Sequence, residues 1–162
     1  HKDQNSQLAV GFTILNAASR ARDAARKANL NQIIAAIEMY NADNGHYPKD
    51  TGRVCVDQLK DGGTTVGVLN AYFQGSIVPK DPQGKTFDGT VSVTCPSGYT
   101  YGAGDGKPAN YAVASYMEVM ADSNVTVSDY LSTTNYLIDL GFYNSLQAGI
   151  HNGSGNMYCI IK

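Results

Sequence analysis

The sequence predicts an α+β fold: one long N-terminal α-helix packed on a small antiparallel β-sheet, with an irregular connecting loop between them. Three observations predict it. Residues 8–44 are a Pro-free run of helix formers, residues 45–90 are broken by Gly and Pro, and residues 91–162 alternate apolar and polar side chains in short stretches. A chain of 162 residues suits one domain built on a single hydrophobic core.

From Leu8 to Asn44 the only glycine is Gly11, and Ala, Arg, Leu, Glu, Lys, Gln and Met dominate. These side chains lose little rotamer freedom in a helix. Ile14, Ala17, Ala18, Ala21, Ala24, Ala25, Ala28, Ile33, Ile37 and Tyr40 recur at spacings of three and four, which predicts one apolar face. Asn44-Gly45 supplies a left-handed C-cap, and Pro48 prevents continuation. The halves differ. Up to Ala28 the helix offers mostly alanine, with Arg20, Arg22, Asp23, Arg26 and Lys27 around it; beyond it come Ile33, Ile34, Ile37, Met39 and Tyr40. Large side chains suit a sheet, small ones suit close approach by another helix. One compact lobe cannot cover so long a helix, so part of it should protrude. The basic side chains read equally as a solvated face or as contacts to lipid headgroups or acidic neighbours.

Residues 1–7, HKDQNSQ, are polar and read as a tag-like remnant outside the fold. Leu8 to Leu15, LAVGFTIL, is apolar from its first residue and reads as the end of a longer hydrophobic stem, trimmed here. No stretch approaches the roughly 18 consecutive apolar residues of a membrane span.

The connecting region, residues 45–90, contains a short turn or helix at Val54–Leu59, a helically spaced stretch at Val66–Gln74, and a rigid Pro-Gly turn at Ile77–Gly84. The sheet lobe, residues 91–162, reads as strands at 91–95 and 99–103, a break at Gly104-Asp105-Gly106 that predicts a hairpin, a central strand at 110–120 and a terminal strand at 156–161. Between the last two lies a polar, tyrosine-containing excursion, residues 122–155, of a length that is usually functional.

Composition narrows the function. Charged residues are 16% of the chain, well below the roughly 25% of an average soluble domain, and the net charge is −2. No global field exists to recruit nucleic acid, and no nucleic-acid partner is expected. The cysteines Cys55, Cys95 and Cys159 form no CxxC pair, so one disulfide and one free thiol is the simplest reading in an oxidising compartment. Three pairings are open. Cys55–Cys95 would staple the connecting loop to the sheet edge and is favoured slightly; Cys95–Cys159 would join a strand start to the terminal strand.

No HExxH, nucleophile elbow or dinucleotide fingerprint occurs, so no enzyme and no catalytic residue is expected. No cofactor is expected either. Asp81, Asp88, Asp105 and Asp122 are oxygen ligands in principle for calcium, but no EF-hand spacing orders them and solvated loop carboxylates are the plainer reading. Strand propensity accounts for most of the 11 tyrosines.

The segment Ala21–Pro48, ARDAARKANLNQIIAAIEMYNADNGHYP, resembles the helix-end signature of type IV pilins and type II secretion pseudopilins. Ile77–Gly84, IVPKDPQG, is similar to that family's turn between helix and sheet. Gly98–Tyr101, followed by Asn110–Ala114 and Met117-Glu118, is similar to its first two strands. The resemblance implies a lollipop-shaped subunit without catalytic activity. Its apolar stem would sit in the bacterial inner membrane and then in the core of a helical filament of copies and related pilins. Ala17, Ala21, Ala24 and Ala28 would be the packing positions. The Ser-x-Gly-x-Asp-Gly type calcium run of many major pseudopilins is missing.

The function expected first is a subunit of a type IV pilus-like filament on the cell surface, serving adhesion, motility or DNA uptake. A periplasmic pseudopilus of type II secretion is the alternative within the class. A secreted carbohydrate- or cation-binding module is the alternative outside it.

Overall fold

The computed structural model describes residues 2–50, 53–84, 87–88, 94–103, 111–119, 122 and 157–162. Helix α1 spans Lys2–Asn44. Its backbone therefore begins within the polar segment 1–7, ahead of the Leu8 start that the sequence suggests. It ends as the sequence predicts. Gly45 takes the left-handed conformation, φ +76°, and its N–H donates to the Asn41 carbonyl at 2.8 Å. The Asn44 side-chain amide closes the Tyr40 carbonyl at 2.9 Å.

Four strands form the main sheet in the order β1-β4-β5-β6, all antiparallel. They are β1 (Arg53–Cys55), β4 (Tyr99–Ala103), β5 (Tyr111–Tyr116) and β6 (Met157–Ile161). A separate short ladder pairs β2 (Phe87–Asp88) with β3 (Thr94–Cys95). The expected central strand is β5, which ends at Tyr116, earlier than the 110–120 reading. Tyr101 pairs with Val113 between β4 and β5, and Val113 with Ile160 between β5 and β6. One expectation is corrected. Val54–Leu59 is not simply a turn or helix: β1 pairs with β4, and a single 3-10 turn, Val56–Gln58, follows. Likewise, the Val66–Gln74 stretch is helical only as a 3-10 turn at Asn70–Tyr72 and at the start of a second one, Gln74–Ser76. The 104–106 hairpin tip and the 123–155 part of the excursion lie outside the described residues.

The helix is not apolar on one continuous face, as its periodicity suggests. Its buried stripe is Asp23, Arg26, Leu30, Ile33, Ile37 and Tyr40, with Ala36 beside it. Ala17, Ala18, Ala21, Ala24, Ala25 and Ala28 are all exposed. Residues 14–18 are exposed on every side, so the lobe does not cover this stretch of the helix. Below Leu30 the buried stripe is ionic; from Leu30 on it is hydrocarbon. Leu30, Ile33, Ile37 and Tyr40 join Val56, Leu59, Leu69, Phe73, Val78, Tyr99, Tyr101, Tyr111 and Val113 in one core. Each fully buried aliphatic side chain contributes about 1.5–3 kcal/mol.

Tyrosines give this core polar tips that need partners. Tyr111 donates to Glu38 at 2.6 Å and Tyr101 to the Pro48 carbonyl at 2.9 Å. Tyr40 donates to Asp61, whose other oxygen accepts the Lys49 N–H at 2.9 Å. Burial first, and then the Glu38 carboxylate, push the Tyr111 hydroxyl well above the usual phenol range. Tyr101 and Tyr111 stack with centroids 5.8 Å apart. The loop after the helix is thus clamped to both helix and sheet.

The structure joins Cys55 to Cys95 across a sequence separation of 40 and leaves Cys159 a buried thiol outside the disulfide. The bond ties the end of β1 to the end of β3. Loop-closure entropy for that separation is worth about 4 kcal/mol. Replacing Cys55 with serine should therefore lower unfolding stability by up to about 4 kcal/mol. Reducing the wild type should mimic it, and Cys159→Ser should leave the response to reductant unchanged. Urea unfolding with and without dithiothreitol measures all three.

Candidate functional site

The lower half of the buried stripe is built from charge. Arg26 has no solvent exposure, and neither does Asp23. Arg26 Nε donates to Asp81 Oδ1 at 2.5 Å, and Nη1 donates to Asp23 Oδ1 at 2.8 Å and to Glu118 Oε1 at 2.7 Å. Nη2 reaches the Gln83 side-chain oxygen at 3.3 Å. The ring of Tyr116 lies 5.5 Å from the guanidinium carbon. Arg22, one turn earlier, grips the same Glu118 with Nε and Nη2 at 2.8 and 2.7 Å.

Three chain segments meet here. Asp23 and Arg26 come from the helix, Asp81 and Gln83 from the Pro-Gly turn, and Glu118 from the segment just after β5. Asp23 also accepts the backbone N–H groups of Glu118 and Val119, both at 2.9 Å. Asp81 accepts the Gln83 N–H at 2.8 Å, and its own N–H donates to the Ser97 carbonyl at 2.9 Å. Asn29 adds a further tie, donating to the Tyr99 hydroxyl at 2.7 Å and to the Lys80 carbonyl at 3.1 Å. The cluster fixes the turn and the segment after β5 on the helix in one register.

Its electrostatics follow from its burial. Desolvation alone would lower the Arg26 pKa, but the hydrogen bonds to Asp81, Glu118 and Asp23 outweigh it and hold the pKa above its ordinary value. The Arg22 hydrogen bond, against the cost of burial and with help from Arg26, pulls the Glu118 carboxyl down to about 2.

The residues singled out in the sequence fall as follows. Asp81 does not stand free in a loop; it is 7% exposed and serves Arg26. Asp88 lies on β2, and Asp105 lies outside the described residues. Among the described residues, no group of three or more His, Cys, Asp or Glu side chains is placed to hold a metal ion. Arg20 is exposed, Arg22 is about one-third exposed, Arg26 is buried, and Lys27 lies 4.6 Å over the Tyr158 ring. The basic segment is therefore neither a solvated face nor a headgroup contact as a whole. Asp23, Arg26 and Glu118 carry no sequence motif of ligand binding, and the sequence alone does not reveal the ionic role of the site.

A second surface lies on the opposite side of the helix. Ile14, Ala18, Ala21, Ala25, Ala28, Gln32, Ala35, Met39 and Ala42 are all exposed, and they alternate spacings of four and three along the whole described face. That is the spacing of a helix–helix seam. Ala17 and Ala24 flank it. Ile14 is 63% exposed and Met39 47%. No described element packs on this face. No helix among the described residues is long and apolar enough to cross a membrane.

Comparison with known proteins gives one match. A family described as type II secretion system (T2SS), protein G, matches residues 13–95. The matched segment is just over half of the chain and contains most of the helix, the connecting loop and both cysteines of the disulfide. No curated protein and no solved structure matches the chain.

Two outcomes test the ionic junction. Arg26→Met keeps the bulk of the side chain but leaves Asp23, Asp81 and Glu118 crowded without a counter-charge. It should cost about 3–5 kcal/mol, read from the urea midpoint. The second concerns pH. Glu118 has a lower pKa folded than unfolded, where it lies near about 4.3. Its stabilisation is complete above the unfolded value and is lost as pH falls through about 2. Wild type should lose stability over that window more steeply than Glu118→Gln, with thermal unfolding at stepped pH as the readout.

Proposed function

The chain belongs to the type II secretion system protein G family, and from that premise we propose that it is a non-catalytic structural subunit of a pseudopilus-type filament. One observation carries the reading. The face of the helix opposite the lobe presents a seam of mostly alanine side chains with helix-packing periodicity, and no described element covers it. Small side chains let helix backbones approach closely.

The filament reading assigns each part a job. The ionic junction and the hydrocarbon core hold the lobe on one side of the helix. The other side stays open to neighbours. Repetition of one subunit-to-subunit contact that does not close on itself generates a filament. An apolar stem would extend the helix through the inner membrane before assembly and into the filament core afterwards. The partners are other copies of this chain and related pilin-like subunits.

Within this class, the family match favours a periplasmic pseudopilus over a surface pilus. The argument for a surface pilus leans on the 122–155 excursion, nearly all of it outside the described residues. The reading includes no cofactor. Asp81, one of the calcium candidates, already accepts from Arg26 and Gln83.

Overproducing the full-length protein in a host with the assembly machinery should yield filaments visible by electron microscopy. Deleting its gene should block secretion through the system. Normal secretion without the gene, together with no filaments on overproduction, would overturn the proposal. Ala21→Arg and Ala28→Arg should abolish filaments while changing monomer stability by less than about 0.5 kcal/mol, because both positions face outward. Parallel thermal melts and micrographs check this pair.

A further inference from the structure

The disulfide and the ionic junction meet in one short turn. Cys95-Pro96-Ser97-Gly98 runs from the end of β3 to the start of β4. Gly98 is left-handed, φ +87°, and its N–H closes on the Cys95 carbonyl at 3.0 Å. On one side the turn is fastened to the end of β1 and to the 3-10 turn after it. Cys95 is bonded to Cys55, and the Ser97 hydroxyl donates to Asp57 Oδ1 at 2.8 Å. On the other side the Ser97 carbonyl accepts the Asp81 N–H at 2.9 Å. Asp81 in turn accepts from Arg26 Nε. An unbroken chain of contacts therefore leads from the two sulfurs through Ser97 and Asp81 to the buried guanidinium.

The hold on this turn depends on the covalent bond. Ahead of it, β3 pairs with β2 over a two-residue ladder, far short of the three or more strands that give a sheet independent stability. Pro96 has no N–H to offer. Among the described side-chain contacts of the turn, Ser97 to Asp57 is the tie to the β1 side that outlasts loss of the bond. The far end of the chain of contacts is unforgiving. Arg26 has no solvent exposure, so a carboxylate that drifts away from it is not replaced by bulk water.

We propose that the Cys55–Cys95 pair is a redox-sensitive lock on the alignment of helix and lobe, transmitted through the Ser97 carbonyl to Asp81. It stands independently of the filament reading. In the dithiol state the main sheet and the hydrocarbon core persist, and the turn no longer holds Asp81 against Arg26. Closing the lock joins the two sulfurs. Two electrons and two protons pass to a disulfide oxidant, R–S–S–R, which leaves as two R–SH. Cys55 and Cys95 are 1% and 0% exposed, so exchange requires the turn to open, and the bond forms before the lobe settles on the helix. Once the sheet has formed, Cys159 stays out of the exchange. Burial pushes its thiol up to about 12, and little of the reactive thiolate exists.

Nitrogen-15 NMR of the Arg26 Nε–H group reads the lock directly. In the oxidised chain its proton should give a distinct, slowly exchanging signal. The chain is then reduced in mild denaturant and refolded in reductant. Exchange of that proton with water should rise by about tenfold or more, while the backbone amide positions of Val113 and Ile160 stay where they were. An Arg26 signal unchanged by reduction overturns the proposal. So does a reduced chain that unfolds outright, because the bond then supports the whole fold and not the junction. Linkage supplies a second arm: if the bond favours the junction, the junction favours the bond by the same factor. Asp81→Asn keeps the backbone N–H and removes the carboxylate charge. It should move the thiol–disulfide equilibrium of the folded chain with glutathione toward the thiols by about fivefold or more. An unchanged equilibrium constant in that variant would sink the proposal.

Discussion

A guanidinium taken fully out of water needs partners for its donors, and removing it from solvent costs several kcal/mol before any partner is met. Arg26 meets that condition with carboxylates from three places: its own helix, the Pro-Gly turn and the segment just after the central strand. Such a cluster is weak evidence for net stability, since hydrocarbon of equal volume often does as well. What it supplies is register. Sliding the helix by one turn past the sheet would strand a buried charge on both sides. An aliphatic contact would tolerate that slip far better. Every other contact between helix and lobe inherits the alignment set at this point, including the Asn29 bonds to Tyr99 and Lys80 and the tyrosine bonds higher up.

The division of the helix follows from this constraint. Above Leu30 the sheet lies close enough to bury large side chains, and hydrophobic burial supplies the adhesion. Between Asp23 and Asn29 the lobe narrows to a turn and a strand end, whose backbone groups need hydrogen bonds more than hydrocarbon. Polar and charged side chains serve there: Asp23 closes two backbone N–H groups of the segment after β5, and Asn29 closes the Lys80 carbonyl. At residues 14–18 the side chains are exposed, with no lobe covering them.

The sequence shows the helix, its stop, the rigid turn and the strands β4, β5 and β6 clearly, because each is written in local patterns. Asn44-Gly45 and Pro48 sit where the backbone turns left-handed and the helix ends. The alternation at 99–103 and 111–116 gives β4 and β5 directly. Strand β1 escapes the same reading because Arg53–Cys55 is too short for alternation to show, and its identity depends on a partner nearly fifty residues away. The junction escapes for a stronger reason. An Arg and an Asp three residues apart on a helix read as a solvent-exposed pair. Their burial depends on Asp81 and Glu118, at separations of 55 and 92 residues from Arg26. Periodicity misassigned the helix faces for a related reason. Alanine counts as apolar wherever it sits, so the exposed alanines and the buried isoleucines merged into one stripe that the structure separates.

That separation bears on why alanine occupies the outer face at all. A broad stripe of leucine there would expose a large apolar patch on every free subunit and invite indiscriminate association. Alanine exposes little area, keeps the helix among the most stable available, and still allows two backbones to approach closely when helices align. Each such contact is weak, because so little surface is buried per residue. Strength then has to come from length and from repetition, and both require a straight helix held at a fixed angle to its lobe. The ionic junction supplies the fixed alignment, and the disulfide holds together the loop that carries Asp81's neighbours. A surface that gives weak contacts singly and firm ones only in a long regular array suits the filament subunit proposed above.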